Sequence, residues 1–309
     1  MKKHASAPVL PAGGTATVAR GCNRARRPVC HFCTSTIAGM APGSASSLQR
    51  SSGEAHVGWR RGATLPRLDR LYQAGSAKAF IHPGDTGPEV VFLNTSGGLT
   101  GGDTLRYGLD LAAGCRATAT TQTAERAYRS DASSARIEVR HRLGPGARLD
   151  WLPQETILFD RSALRRDTLI ELDSDAACLM LEAVVLGRAA MGERVAEVRF
   201  DDRRRIMRDG RPVLVEPLRL TTASLAAGRG VLQDARAFAT LALVADGAED
   251  ALGPVRAVLD EPGVAGGASG FDGKLIVRLM AGDGWPLRRQ ILRLLAVLRP
   301  GPLPRVWQM

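Results

Sequence analysis

Thr104-Leu105-Arg106-Tyr107-Gly108-Leu109-Asp110-Leu111-Ala112-Ala113-Gly114 is the stretch on which the fold turns. Leu105, Tyr107, Leu109 and Leu111 occupy every second position, and side chains two apart share one face of a strand. The segment then stops at a small-residue corner. The same pattern extends from Val90 to about Leu220, with Ile137 and Val139 on one face and later Val213 and Val215. Turn residues punctuate it at Gly144-Pro145-Gly146, Asp173-Ser174-Asp175 and Asp209-Gly210. Asp-Gly between alternating runs is a strong hairpin signal. Leu111, Leu143 and Leu172 each precede two or three turn residues and a small-residue strand start. Their spacing is about thirty residues, as stacked β-units would give.

Helical spacing appears only late. In Glu249–Leu259 the apolar residues Ala251, Leu252, Val255, Val258 and Leu259 share a face, with Pro254 near the first turn. Pro286 opens a second stripe of Leu287, Ile291, Leu294, Leu295 and Leu298, which Pro300-Gly301 ends. Leu275–Met280 reads as a strand between them. The reading is a mainly-β, layered or solenoid-like antiparallel body with two α-helices in the C-terminal half.

Residues 1–53 differ in kind. They are rich in Ala, Gly, Ser, Pro and Arg, and they carry seven of the eleven net positive charges with no acidic residue. Such a segment buries too little apolar surface to offset its ordering entropy, so a disordered extension is expected. It resembles a transit peptide, or a start placed too far upstream with Met40 as one alternative. Cys30-His31-Phe32-Cys33 has the spacing of half a zinc site, but no second pair follows, and chance accounts for it. Residues 54–309 form the expected single domain.

Several functions are disfavoured. The body retains a net charge of only +4 and aromatic residues are 5% of the chain, so no nucleic-acid partner is expected. The longest apolar run, Ala176–Leu186, is interrupted by Glu182, and no membrane span is expected. Five scattered cysteines without a disulfide rhythm point to a reducing cytoplasm, with Cys178 as a small buried hydrophobe. Gly97-Gly98-Leu99-Thr100-Gly101-Gly102-Asp103-Thr104 mimics a P-loop, yet Asp103 stands where the phosphate-binding Lys belongs. Its charge would repel a nucleotide, and its glycines read as a tight, closely packed loop. His56, His82 and His141 are the body's histidines; none sits in a triad pattern, and His82 and His141 are isolated candidates for binding nickel.

Three segments mix charged with buried-looking residues: Thr120–Ser130, Trp151–Arg161 and Leu186–Glu193. Charge inside a protein must be paired or wet, so each is either a set of internal ion pairs or a polar passage or interface.

These segments also carry a family resemblance. Asn94-Thr95-Ser96-Gly97-Gly98-Leu99-Thr100-Gly101-Gly102-Asp103 resembles the glycine stretch of the UreD (UreH) urease accessory proteins, with Asn94, Gly97, Gly98, Gly101, Gly102 and Asp103 as the motif residues. Thr120–Ser130, Trp151–Asp160, Gly187–Glu193 and the tail Pro304-Arg305-Val306-Trp307 are similar to four further family motifs, in family order. One departure is Thr95-Ser96, where many members have Pro-Pro. The resemblance implies an elongated, mainly-β, non-enzymatic scaffold that helps load nickel into urease. It implies partners in UreF, the GTPase UreG and the urease apoprotein, with nickel in transit and no permanently bound cofactor. On that reading Glu125, Glu155 and Glu193 line the nickel passage. The rival readings are a stand-alone nickel metallochaperone and an unrecognised hydrolase.

Overall fold

The computed structural model describes residues 49–308 apart from 63–65, 85–86, 132 and 228–229, so the expectation for residues 1–48 lies outside the described residues. Among the described residues the first strand is β1 (Ser52–Arg60). β2 (Arg67–Gly75), β3 (Ala77–His82), β4 (Glu89–Asn94), β5 (Thr104–Leu111), β6 (Arg116–Thr121) and the short β7 (Glu125–Ala127) follow. Next come β8 (Ala135–Leu143), β9 (Arg148–Leu152), β10 (Thr156–Leu158), β11 (Ser162–Leu172), β12 (Ala177–Leu186), β13 (Val198–Arg208) and β14 (Arg211–Thr221). After α1 (Thr222–Ala226) come β15 (Ala237–Val244), α2 (Leu252–Ala257), β16 (Val264–Phe271), β17 (Lys274–Ala281) and α3 (Gly284–Leu298).

Two sheets result. One runs β14-β13-β11-β8-β5-β1-β2 and the other β16-β17-β15-β12-β9-β6-β4-β3, with β7 and β10 extending beside β12. From β4 to β13 the main strands alternate between the sheets, so each circuit adds one strand to both. Consecutive circuits stack in parallel: β5 on β8, β8 on β11, β11 on β13, β6 on β9 and β9 on β12. The antiparallel expectation is therefore corrected for the middle of the body. A corner that sends the chain to the opposite sheet returns it one circuit later pointing the same way. Antiparallel pairing survives where the chain doubles back, as at Asp209-Gly210 between β13 and β14. Both residues there have positive φ (48° and 74°), as a primed hairpin turn requires.

The repeated Leu corners stack directly. Gly144 N donates to Leu111 O (2.8 Å), Asp173 N to Leu143 O (2.9 Å) and Asp209 N to Leu172 O (3.0 Å). All three leucines are buried. Leu105, Tyr107, Leu109, Ile137 and Val139 point into the inter-sheet core as their alternation requires. Val213 and Val215 do not share that face: Val213 is half-buried against the core, Val215 is 55% exposed, and Leu214 and Leu220 face inward. The pairing of β13 and β14 slips between Ile206 and Met207, leaving Val213 as an extra residue. A one-residue slip exchanges the faces of a strand.

The second core lies on the other face of the larger sheet. There Leu287, Ile291, Leu294, Leu295 and Leu298 of α3 pack with Leu181, Leu241, Leu275 and Val277. Asp283 caps α3 by accepting from Trp285 N (2.9 Å). Both C-terminal helices appear where their periodicity placed them. α1 spans five residues, too few to show a helical period.

Candidate functional site

The two kinds of corner differ in length. Short Leu corners close one side of the stack, while residues 94–103, 121–134, 152–161 and 186–197 make the longer returns on the other. Every internal motif therefore ends on the same side. The topology alone brings them together.

The glycine loop is fastened to the return after β6. Leu99 N donates to Arg126 O (2.7 Å) and Tyr128 N to Leu99 O (2.8 Å). The Gly97 carbonyl accepts from Tyr128 Oη (3.1 Å) and Arg126 Nη1 (3.4 Å). A Cβ on Gly98 would lie 2.3 Å from the Tyr128 ring, and one on Gly101 2.1 Å from Ser130 Oγ. Close packing explains these glycines. Gly102 N reaches Ser134 O (3.3 Å). Asp103 is buried, accepting from Ser51 N and Thr100 N, both at 2.8 Å. The loop leads into β5 instead of a helix, so it lacks the helix N-terminus on which a P-loop seats phosphate.

Glu125 and Glu155 lie side by side, Glu125 N donating to Glu155 O (3.0 Å). Asn94 Nδ2 bonds both Glu125 oxygens (3.2 and 3.3 Å). Burial nevertheless dominates and pushes the Glu125 carboxyl up to about 7, against the Asn94 hydrogen bond and the Arg126 charge. Glu155 is half-buried, with Arg288 Nη1 3.7 Å from Oε2, and so pairs with α3. Glu193 does pair with Arg188 (2.7 Å), and it also accepts from the amides of Asp160 and Arg188 (both 3.1 Å). Burial works against its ionisation, but these bonds hold its pKa below the usual value. His141 is buried on Trp151, ring centroids 4.7 Å apart, and desolvation drives its pKa down to about 3. His82 instead lines a cavity of about 570 Å³ with Glu89, its cross-strand partner.

A stability effect follows from Glu125. Its folded pKa exceeds the value of 4.5 expected for an unfolded chain, so the folded state binds the extra proton between those limits. Its stabilising contribution is complete below pH 4.5 and is lost as pH rises through about 7. The span is on the order of 3 kcal/mol. Glu125→Gln is expected to flatten that part of the profile, measured by urea unfolding from pH 4 to 8. An unchanged slope would show the carboxylate to be well solvated.

The sequence reading missed a buried row of charges. Arg166 grips Asp202 through Nε (2.9 Å) and Nη2 (2.6 Å), and its Nη1 lies 2.6 Å from Glu182 Oε2. Arg204 Nη2 reaches the same Asp202 oxygen (2.6 Å). Glu216 links Arg204 (3.3 Å) to the exposed Arg278 (2.9 Å). Trp151 Nε1 donates to Glu182 (3.2 Å). Burial opposes ionisation of both inner acids. Arg166 and Arg204 overcome it at Asp202, whose pKa is lowered, but Glu182 stays raised. The available signal was a charge on an inward position: Arg166 alternates with Leu164 and Ile170, and Asp202 and Arg204 with Phe200 and Ile206.

The tail closes the Trp151–Asp160 motif. Trp307 Nε1 donates to Leu152 O (3.0 Å) and approaches Thr120 Oγ1 (3.2 Å). Gln154 bonds Val306 O (3.2 Å) and Arg288 Nη1 (2.7 Å). Among the described residues no three His, Cys, Asp or Glu side chains converge as a metal cage, and no helix is long and apolar enough to cross a membrane.

Fold and site together define a layered β scaffold whose sequence motifs gather on one polar side. A family model described as UreD urease accessory protein matches residues 51–308. Proteins named urease accessory protein UreD are close in sequence. That of Cereibacter sphaeroides is 62% identical over 264 residues, covering 84% of this chain and 96% of its own. Those of Paracoccus denitrificans and Rhizobium leguminosarum bv. trifolii are 52% and 46% identical over 265 residues, covering 84% of this chain and 93% and 96% of theirs. The chain belongs to the UreD family of urease accessory proteins. It serves urease maturation and is not itself an enzyme.

Proposed function

We propose that this protein is a scaffold for nickel delivery to urease, acting in the cytoplasm on the urease apoprotein with UreF and UreG. Nickel is cargo that passes and does not stay, and no cofactor resides in the chain. The observation that carries this reading is Glu125, a half-buried carboxylate beside Glu155 on the side where the motifs gather, whose pKa burial raises to about 7. Glu155 adjoins it and Glu193 lies on the next motif return, and these three would line the passage. Carboxylate oxygens suit a divalent ion in transit, whereas a His/Cys cluster would trap nickel. Nucleotide hydrolysis is left to UreG, in keeping with the structural duties of Asp103. The free, buried Cys115 and Cys178 suit a reducing compartment.

Single Gln substitutions at Glu125, Glu155 and Glu193 test the reading in reconstituted urease activation. A passage role predicts a normal complex and weaker activation at limiting nickel, partly restored by excess metal. A purely structural role predicts a lost complex that nickel does not rescue. Normal activation by all three variants at limiting nickel would remove them from the passage.

A further inference from the structure

Beside Glu193 the motif side opens into a depression of about 630 Å³, lined by Tyr128, Arg129, Phe159, Asp160, Arg161, Arg188 and Glu193. Three arginines and two aromatic rings meet there. Tyr128 packs edge-on against Phe159 (4.9 Å, 87°), and the Arg188 guanidinium lies 4.4 Å over the Phe159 ring. Arg129, Arg161 and Arg188 remain exposed, at 61%, 49% and 47% of their side-chain surface. Rigid Tyr and Arg side chains grouped this way make up the anchors of protein interfaces.

The charges are unequally committed. Asp160 Oδ1 is held by the amides of Ala196 (2.8 Å) and Glu197 (3.0 Å), and Glu193 by two amides and the Arg188 Nε. Both acids are therefore satisfied from within. Arg129 and Arg188 each donate through Nε, to Asp131 and Glu193, and Arg161 Nε lies 3.4 Å from Glu197. Among the described residues the terminal nitrogens of these three arginines make no hydrogen bond. Three guanidinium groups thus line the depression with their terminal nitrogens uncommitted, that of Arg188 over the Phe159 ring, and such nitrogens suit carboxylate recognition.

We propose that this depression docks a carboxylate-rich surface segment of a protein partner, with Arg129 and Arg161 receiving its acids. The inference rests on the scaffold reading, since that reading supplies the protein complex. Arg188 is left unaltered in the test because it holds Glu193.

The full chain carrying Arg129→Glu with Arg161→Gln is compared with wild type for binding to two probes, the cognate urease apoprotein and the cognate UreF–UreG assembly, at low and high salt. Circular dichroism melts establish that the variant is folded. The expected result is about a tenfold or greater loss of affinity for one probe, together with a weaker salt dependence than wild type. The variant Arg129→Lys with Arg161→Lys keeps the charge and should lose less. A folded double variant that binds both probes as wild type does would overturn the inference alone. Wild type that binds neither probe would overturn the scaffold reading, and this inference with it. Wild type that binds an RNA oligonucleotide more tightly than either probe, with the same arginines required, would mark the surface as a general polyanion site and also overturn it.

Discussion

Arg166→Met is expected to destabilise the body by about 3–5 kcal/mol, the largest effect of any single change considered for this protein. Among the described residues Arg166 is the only side chain that touches both inner acids of the buried row, Glu182 and Asp202. Removing it leaves Glu182 without its cation, while Asp202 retains Arg204. The Thr156 hydroxyl also loses the Arg166 contact at 3.1 Å. The loss comes from stranding charge away from water and not from the worth of the ion pairs themselves, which desolvation largely offsets. Glu182→Gln in the Arg166→Met background removes the stranded charge, keeps an acceptor for Trp151 and leaves Asp202 with Arg204, and should therefore recover part of the stability. Urea unfolding of the single and double variants measures both effects. A cost below about 1 kcal/mol for the single variant would mean that water reaches the row and screens it.

Trp307→Ala should come close behind, at about 3–5 kcal/mol. The indole is buried between the motif strands, stacks under Arg288 at 4.6 Å and bonds Leu152 O. Its loss opens a cavity where the tail crosses β6 and β9, and frees Gln154 and Arg288 from the segment they hold. Trp307→Phe restores volume but not the N–H donor, and should recover part of the loss. Thermal unfolding gives the stability. Limited proteolysis tests the location, since early cleavage after Leu298 is expected only in the Ala variant. Equal resistance in both would show that the tail is held elsewhere.

These expectations also mark how far the sequence could be read. The Leu111, Leu143 and Leu172 corners were visible because a buried Leu before a small-residue turn leaves a one-dimensional trace. The hydrogen bonds that stack them follow from that repeat. The α3 stripe was equally plain, since fifteen residues allow four turns of periodicity. The glycine loop was read correctly as close packing, although its partners Tyr128 and Ser130 lie about thirty residues away. Glu193 and Arg188 pair within one short segment, five positions apart. Glu155 has no such local partner, because Arg288 comes from a helix 133 positions later.

What the sequence by itself determined is which residues face inward, where the chain must turn and which family it resembles. Alternation records the face of a strand, and turn residues record φ preferences; both are local properties of the chain. Direction and partnership are not local. Only the tertiary structure decided that the strands stack in parallel, because that depends on each corner crossing to the other sheet. Only it placed Arg166, Glu182, Asp202 and Arg204 in one dry layer, where each charge is tolerable because the others are there. The gathering of four motifs on one side has the same origin: parallel stacking carries every long return to the same edge, whatever residues it contains.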